Sequence, residues 1–192
     1  MTNEDWVNIF NDDESYAKLY TDYYKKFYNY GKKFTSNTSL IEDSIQEVFL
    51  EIWLKKHKLL HVSSINSYFF ASFRYILFRK IKEENKIVSN EGIEGEASFS
   101  VDSLLISREV NNEQQARLKT AFEALTPHQR EAVFLRFYQN LSYEEVAQVL
   151  NISVKATYKI MARSLSALKN RMLIALALLL NVLSLNFFLN KY

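Results

Sequence analysis

The sequence predicts an all-α protein built as two small helical domains joined by a flexible linker. Three observations predict it. The 192 residues include only three glycines (Gly31, Gly92 and Gly95) and one proline, Pro127, too few for the closely spaced turns of strand-rich folds. Apolar residues recur at steps of three and four along most of the chain, the period of a helix with one buried face. That regularity fails in one acidic stretch near the middle, where two of the three glycines lie.

The elements follow in order. Tyr16, Leu19, Tyr23, Phe27, Tyr30 and Phe34 mark a first helix, opened by Asp12, Asp13 and Glu14, whose charges favour a helix start. After a polar break, Ser39 and Glu42 read as a capping box, and Ile41, Ile45, Val48, Phe49 and Ile52 mark a second helix. His57 to Asn66 reads as a loop. A third helix runs from Ile65 to about Lys86, with Ile65, Tyr68, Phe69, Ser72, Phe73, Ile76 and Leu77 inward and Tyr75, Arg79, Lys82 and Lys86 on another side. The domain limits expected are 1–86, an acidic linker 87–103, a second domain 104–170 and an apolar tail 171–192. In the second domain Thr126, Pro127 and Gln129 form a sharp helix start, Ser142 and Glu145 a capping box, and Ser153 a third N-cap. Three starts so close together mean short helices joined by tight turns.

Composition narrows the chemistry. With no cysteine there are no disulfides, thiolate metal sites or thiol nucleophiles, which suits a reducing cytoplasm. His57, His61 and His128 have no evident ligand partners, and no Gly-rich loop is present to cradle phosphate. The expectation is therefore no catalytic residue, no metal and no cofactor. The acidic start, MTNEDWVNIFNDD, lacks the apolar run of a signal peptide. From Asn151 to the end there is no Asp or Glu, while Lys155, Lys159, Arg163, Lys169, Arg171 and Lys191 are basic. A basic end on a nearly neutral chain points to a polyanion as partner.

Residues 143–163 carry the pattern of a helix-turn-helix. Ala147 is small where two helices would cross. Asn151 stands at the turn position that needs a left-handed backbone, which Asn tolerates. Val146, Leu150, Ile152, Val154 and Ile160 supply a shared core, completed by Thr157 and Met161. The second helix then exposes Ser153, Lys155, Ala156, Tyr158, Lys159 and Arg163, side chains suited to base edges and phosphates in a major groove.

Here a resemblance becomes specific. Leu125-Thr-Pro-His-Gln-Arg-Glu-Ala-Val-Phe-Leu-Arg-Phe, then Leu141-Ser-Tyr-Glu-Glu-Val-Ala, then Leu150-Asn-Ile-Ser-Val-Lys-Ala-Thr resemble region 4 of sigma-70 superfamily factors, over about 125–168. That region recognises the −35 promoter element. The departures are Asn151, where Gly is frequent, and Ala156-Thr157-Tyr158, where a Thr-Val-Lys run is frequent. Upstream, Glu42-Asp43-Ser-Ile-Gln46-Glu47-Val-Phe49-Leu-Glu-Ile-Trp53 resembles region 2.2 of the extracytoplasmic-function (ECF) group. The resemblance implies that Asp43, Gln46, Glu47, Phe49 and Trp53 contact the β′ clamp helices of core RNA polymerase. The helix after it resembles regions 2.3 and 2.4, which capture the melted −10 element. Arg74, Tyr75, Arg79 and Lys82 are the candidates there, with the loop from His61 to Asn66 as a base-receiving surface. Cations would follow the backbone of the single strand while aromatic faces or a pocket take unstacked bases.

The resemblance thus implies a bacterial, cytoplasmic transcription initiation factor. Its partners would be core polymerase (β′ clamp helices and β flap), promoter DNA and, as a further partner the family allows, an anti-sigma factor. The competing reading is a helix-turn-helix regulator that binds duplex DNA without polymerase. The tail holds a run from Leu173 to Leu189 with no charge. It falls short of the ~20 residues of a spanning helix and is broken by Asn181, Ser184 and Asn186. Packing against protein is favoured for it over membrane contact.

Overall fold

A computed structural model describes residue 9 and residues 11–57, 62–88, 99–100 and 119–170. Most of the expected linker, residues 104–118 after it, the N-terminus as far as residue 8 and all of the tail from 171 onward lie outside the described residues. Among the described residues every regular element is a helix: α1 (Asp13–Gly31), α2 (Thr38–Leu54), α3 (Ile65–Val88), a helical piece at 119–123, α4 (Pro127–Phe137), α5 (Tyr143–Leu150) and α6 (154–170).

The helix starts obey local chemistry. Asp12 accepts from the Ser15 amide at 2.8 Å and opens α1 with two acids in its first turn. Helix α2 starts two residues earlier than Ser39 suggests: Asn37 is the N-cap, its Oδ1 accepting from the Leu40 amide at 3.1 Å. Asn at 37 caps at least as well as Ser, so the helix gains two residues at no cost. The boxes at Thr126/Gln129 and Ser142/Glu145 are both complete.

In the first half, α1, α2 and α3 bury a core that is largely aromatic. Phe27 lies flat on Phe73 with ring centroids 4.5 Å apart, and Tyr23 meets Phe69 at 4.7 Å. Gly31 permits the closest approach of α1 to α2, since a Cβ there would lie 2.9 Å from Ile41 Cγ2. Phe49, Ile45 and Ile52 close the core from α2.

The second half shares this core. Tyr30, fully buried at the end of α1, stacks on Phe134 of α4 at 5.7 Å. Phe70 is buried as well, although the period of α3 predicts burial only for the face bearing Phe69 and Phe73. Phe70 packs on Tyr23, Phe27 and Tyr30 of α1, while Ser67 faces α5, which α3 meets on another side. The expected linker is pinned at one point. Phe99 is buried between Phe34 and Phe134, the Ser100 amide donates to the Lys33 carbonyl at 2.6 Å, and Arg130 donates to the Phe99 carbonyl at 3.0 Å. At Phe99 the segment is a wedge between the halves, a role its acidic, glycine-bearing neighbours conceal.

Candidate nucleic-acid interface

The helix-turn-helix forms where the sequence places it. The Ser142 hydroxyl accepts from the Glu145 amide at 3.1 Å, and Glu145 accepts in return from the Ser142 amide at 2.7 Å. Asn151 takes the left-handed conformation (φ 52°, ψ 49°) and ends α5, with the Ile152 amide donating back to the Ala147 carbonyl at 3.0 Å. Asn140, which closes the preceding turn, is left-handed too, at φ 57°. Ala147 is buried at the crossing, and Val146, Leu150, Thr157 and Met161 fill the space between α5 and α6.

Two core assignments change. Val154, expected inside, is 38% exposed at the first turn of α6, where the helix has not yet reached its neighbours. Val149 of α5 is buried in its place.

Ser153 caps α6, its Oγ accepting from the Ala156 amide at 3.1 Å. The hydroxyl proton remains available to a phosphate, beside the amides that a helix start leaves unbonded. Ser153, Lys155, Tyr158, Lys159 and Arg163 are all exposed, and Ala156 is half-buried. Lys155, Lys159 and Arg163 make no ion pair with a described acid. The result is a basic helix, capped and held at a fixed angle by a left-handed turn.

The residues expected to handle single-stranded DNA divide between two places. Tyr75, Arg79 and Lys82 share the outer face of α3, with Tyr75 71% exposed. Arg74 points elsewhere, into the seam between the halves. Its Nε donates to Glu131 Oε1 at 2.7 Å and its Nη2 to Oε2 at 3.3 Å, while its guanidinium lies 4.2 Å over the Phe78 ring. Glu131 is buried and also accepts from the Tyr30 hydroxyl. Burial first, and then the Glu131 charge, push the Tyr30 hydroxyl well above the usual tyrosine range. Burial opposes the charge on Arg74, but Glu131 outweighs it and holds the guanidinium charged. The sequence reading missed Glu131 and Tyr30 as a polar pair, because each sits inside an apolar stripe and their separation of 101 residues leaves no local signal.

The expected base-receiving loop, His61 to Asn66, and the start of α3 that it runs into are also engaged. Ser64 donates to Glu145, the Gln148 side chain bonds Ser67 and, at 2.8 Å, Ser63, and Asn66 accepts from the Tyr23 hydroxyl. Of that loop His61 lies outside the described residues, as do residues 58–60 before it.

On α2, Asp43 and Gln46 are exposed side by side, while Glu47 turns toward α3 and pairs with Arg79 and with Lys80 at 3.0 Å. Phe49, expected as a contact, is instead core: it packs among Tyr16, Tyr20, Phe27 and Phe69 and has 3% of its surface exposed. The i, i+4 step that makes α2 amphipathic puts Ile45 and Phe49 on the same inner face. The apolar part of the outer face is Leu50, Trp53 and Leu54, at 59%, 39% and 66% exposure. Leu50 was missed because its neighbours fit the buried stripe equally well. Among the described residues no cluster of acids or histidines could hold a metal, and no helix is long and apolar enough to cross a membrane.

Comparison with known proteins adds the following. Residues 115–168 match the family described as sigma-70, region 4. The chain is 24% identical over 164 residues to the RNA polymerase sigma factor YlaC of Bacillus subtilis, covering 83% of this chain and 92% of that one. It is 24% identical over 166 residues to the ECF RNA polymerase sigma factor SigX of the same organism, covering 83% and 84%. Among solved structures, the sigma factor RpoE of Bartonella quintana, in complex with the anti-sigma factor NepR, superposes with a TM-score of 0.59 at 16% identity, over 83% of this chain and 97% of that one. CnrH, in complex with the cytosolic domain of CnrY, does so with a TM-score of 0.53 at 16% identity, over 88% and 94%.

Proposed function

We propose that this chain, which belongs to the ECF group of the sigma-70 superfamily, directs core RNA polymerase to its promoters through two separate surfaces. It is a promoter-specific transcription initiation factor whose partners are core polymerase and promoter DNA. The observation that carries the reading is the capped, basic α6, set by a left-handed Asn151 against α5 within a stretch that matches sigma region 4. In this reading α6 lies in the major groove of the −35 duplex, with Ser153, Lys155, Tyr158, Lys159 and Arg163 toward bases and phosphates and Ala156 allowing close approach. Asp43, Gln46 and Glu47, with Leu50 and Trp53 beside them, form the surface for the β′ clamp helices, and the second half meets the β flap. Tyr75, Arg79, Lys82 and Arg74 hold the opened −10 strand. The chain works without a catalytic group, in the cytoplasm where polymerase acts. The two structural relatives are described in complex with partner proteins, one of them an anti-sigma factor, which supports such a factor as a further partner. The domain division at 87–103 remains part of the proposal.

The −10 assignment sets a structural condition. Arg74 is bonded to buried Glu131, and α5 covers the start of α3. For Arg74 to reach a phosphate, the halves must part along this seam when polymerase is engaged.

The test is transcription in vitro with core polymerase, this chain and genomic fragments. Initiation from discrete fragments, dependent on the chain, is expected. Competent core that initiates from none of them would overturn the proposal. A chain that binds duplex DNA but does not co-elute with core would indicate the polymerase-independent regulator instead.

A further inference from the structure

Tyr158 is an aromatic residue on an otherwise basic helix, and it is not left to move freely. Its ring lies 4.5 Å from that of Tyr143, tilted by 55°. Tyr143 is the first residue of α5, fixed by the Ser142 cap. The Arg136 guanidinium sits 5.3 Å over the Tyr143 ring, and Arg136 is itself tied to the turn before α5 by donating to the Leu141 carbonyl at 2.8 Å. A continuous chain of contacts therefore runs from the turn through Arg136 and Tyr143 to Tyr158. Half of Tyr158 is still exposed on the side away from Tyr143.

A ring held this way cannot neutralise phosphate. It would present an apolar surface to a major groove, where thymine offers the C5-methyl group for apolar contact. Fixing the ring before binding also removes the ordering cost that a free tyrosine would meet on the DNA.

We propose that Tyr143, steadied by Arg136, positions Tyr158 so that its ring reads a thymine methyl in the −35 duplex. This rests on the −35 reading above. Tyr143 is a positioning residue and Tyr158 the specificity-determining one.

The experiment uses the full chain with core polymerase and a promoter fragment recovered by transcription in vitro. Each −35 thymine is replaced singly by deoxyuridine, which lacks only the methyl group. For the unaltered chain, one such replacement should weaken binding about three- to fivefold, the size expected for one buried methyl. Tyr158→Ala should no longer sense that replacement, Tyr143→Ala should sense it less than about twofold, and Tyr143→Phe should restore the full effect, each judged against that same methyl value. Tyr143→Ala that senses the methyl as fully as the unaltered chain would limit Tyr143 to packing and overturn the proposal. So would an element in which no thymine methyl matters. Failure of the underlying −35 reading looks different: the unaltered chain would bind the fragment no better than one with a scrambled −35 sequence.

Discussion

The two surfaces proposed to meet DNA are built on opposite principles. On α6 the cations stand in the open, paired with no described acid, on a helix whose cap and turn are fixed. On α3 the cations are already occupied: Arg74 by Glu131 inside the seam, Arg79 by Glu47 on the surface. The open surface suits capture of a rigid duplex, whose phosphates are accessible before any opening. The occupied one suits a strand that becomes available only later, when another acceptor can replace a carboxylate. Acid partners for the α3 cations, Glu131 from α4 and Glu47 from α2, therefore discourage binding to the wrong substrate, whereas their absence around α6 favours early, salt-dependent attachment.

The strongest way to break the comparison is to remove the seam's acid. Glu131→Ala leaves Arg74 and the Tyr30 hydroxyl in the seam without their acceptor. It should lower unfolding free energy by about 3–5 kcal/mol in a urea titration, as for other broken buried pairs. A loss under about 1 kcal/mol would mean that the seam does not bury this pair in solution.

Next in size is the turn that sets α6. Asn151→Ala forces a residue with a Cβ and no compensating side-chain hydrogen bond into the left-handed region, at about 1–2 kcal/mol. Asn151→Gly, which enters the left-handed region without steric cost, should lose much less. Equal losses from both, measured by thermal unfolding, would show that left-handed geometry is not what Asn151 supplies.

A pH-dependent effect bears on the seam. Lys33 packs 5.5 Å from the Phe134 ring; burial, reinforced by neighbouring Lys32, lowers it to about 8. The folded chain thus gives up this proton at a pH where the unfolded chain, with an ordinary lysine near 10.5, still holds it. Stability should therefore rise as pH goes from about 8 toward 10. Above about 10 the sign reverses, because buried Tyr23 and Tyr30 keep protons that unfolded tyrosines release. Lys33→Met should abolish the rise and keep the fall; denaturation midpoints across this range decide it.

The smallest expected change in stability accompanies the clearest separation of function. Lys159→Glu and Asp43→Lys alter exposed side chains and should each shift stability by no more than about 0.5 kcal/mol. The first should impair −35 binding and spare core binding; the second should do the reverse. Identical defects in the two assays would undo the assignments.

How much of this was legible in the sequence follows from the range of each interaction. Caps, the left-handed Asn151, the apolar stripes and the exposed residues of α6 are set within four or five residues, so spacing reveals them. Asn37 displaced Ser39 only because two acceptable caps lie two residues apart. Contacts between the halves leave no such trace. Tyr30 looks like an ordinary member of an apolar stripe, Glu131 like a polar break in another, and Phe99 like part of a linker. What they do depends on partners far along the chain, and so did the error over Phe49, whose inner position is fixed by rings from α1 and α3.

The most direct test of the central claim, that the seam holds −10 residues until polymerase is engaged, uses the absence of native cysteine. Ser67 and Gln148, which bond each other across the seam, can be replaced together by cysteine and joined with a short bismaleimide. The joined protein should fail to initiate from a promoter that the same variant, unjoined, uses normally with core polymerase. Equal initiation by the joined and unjoined forms would contradict the claim.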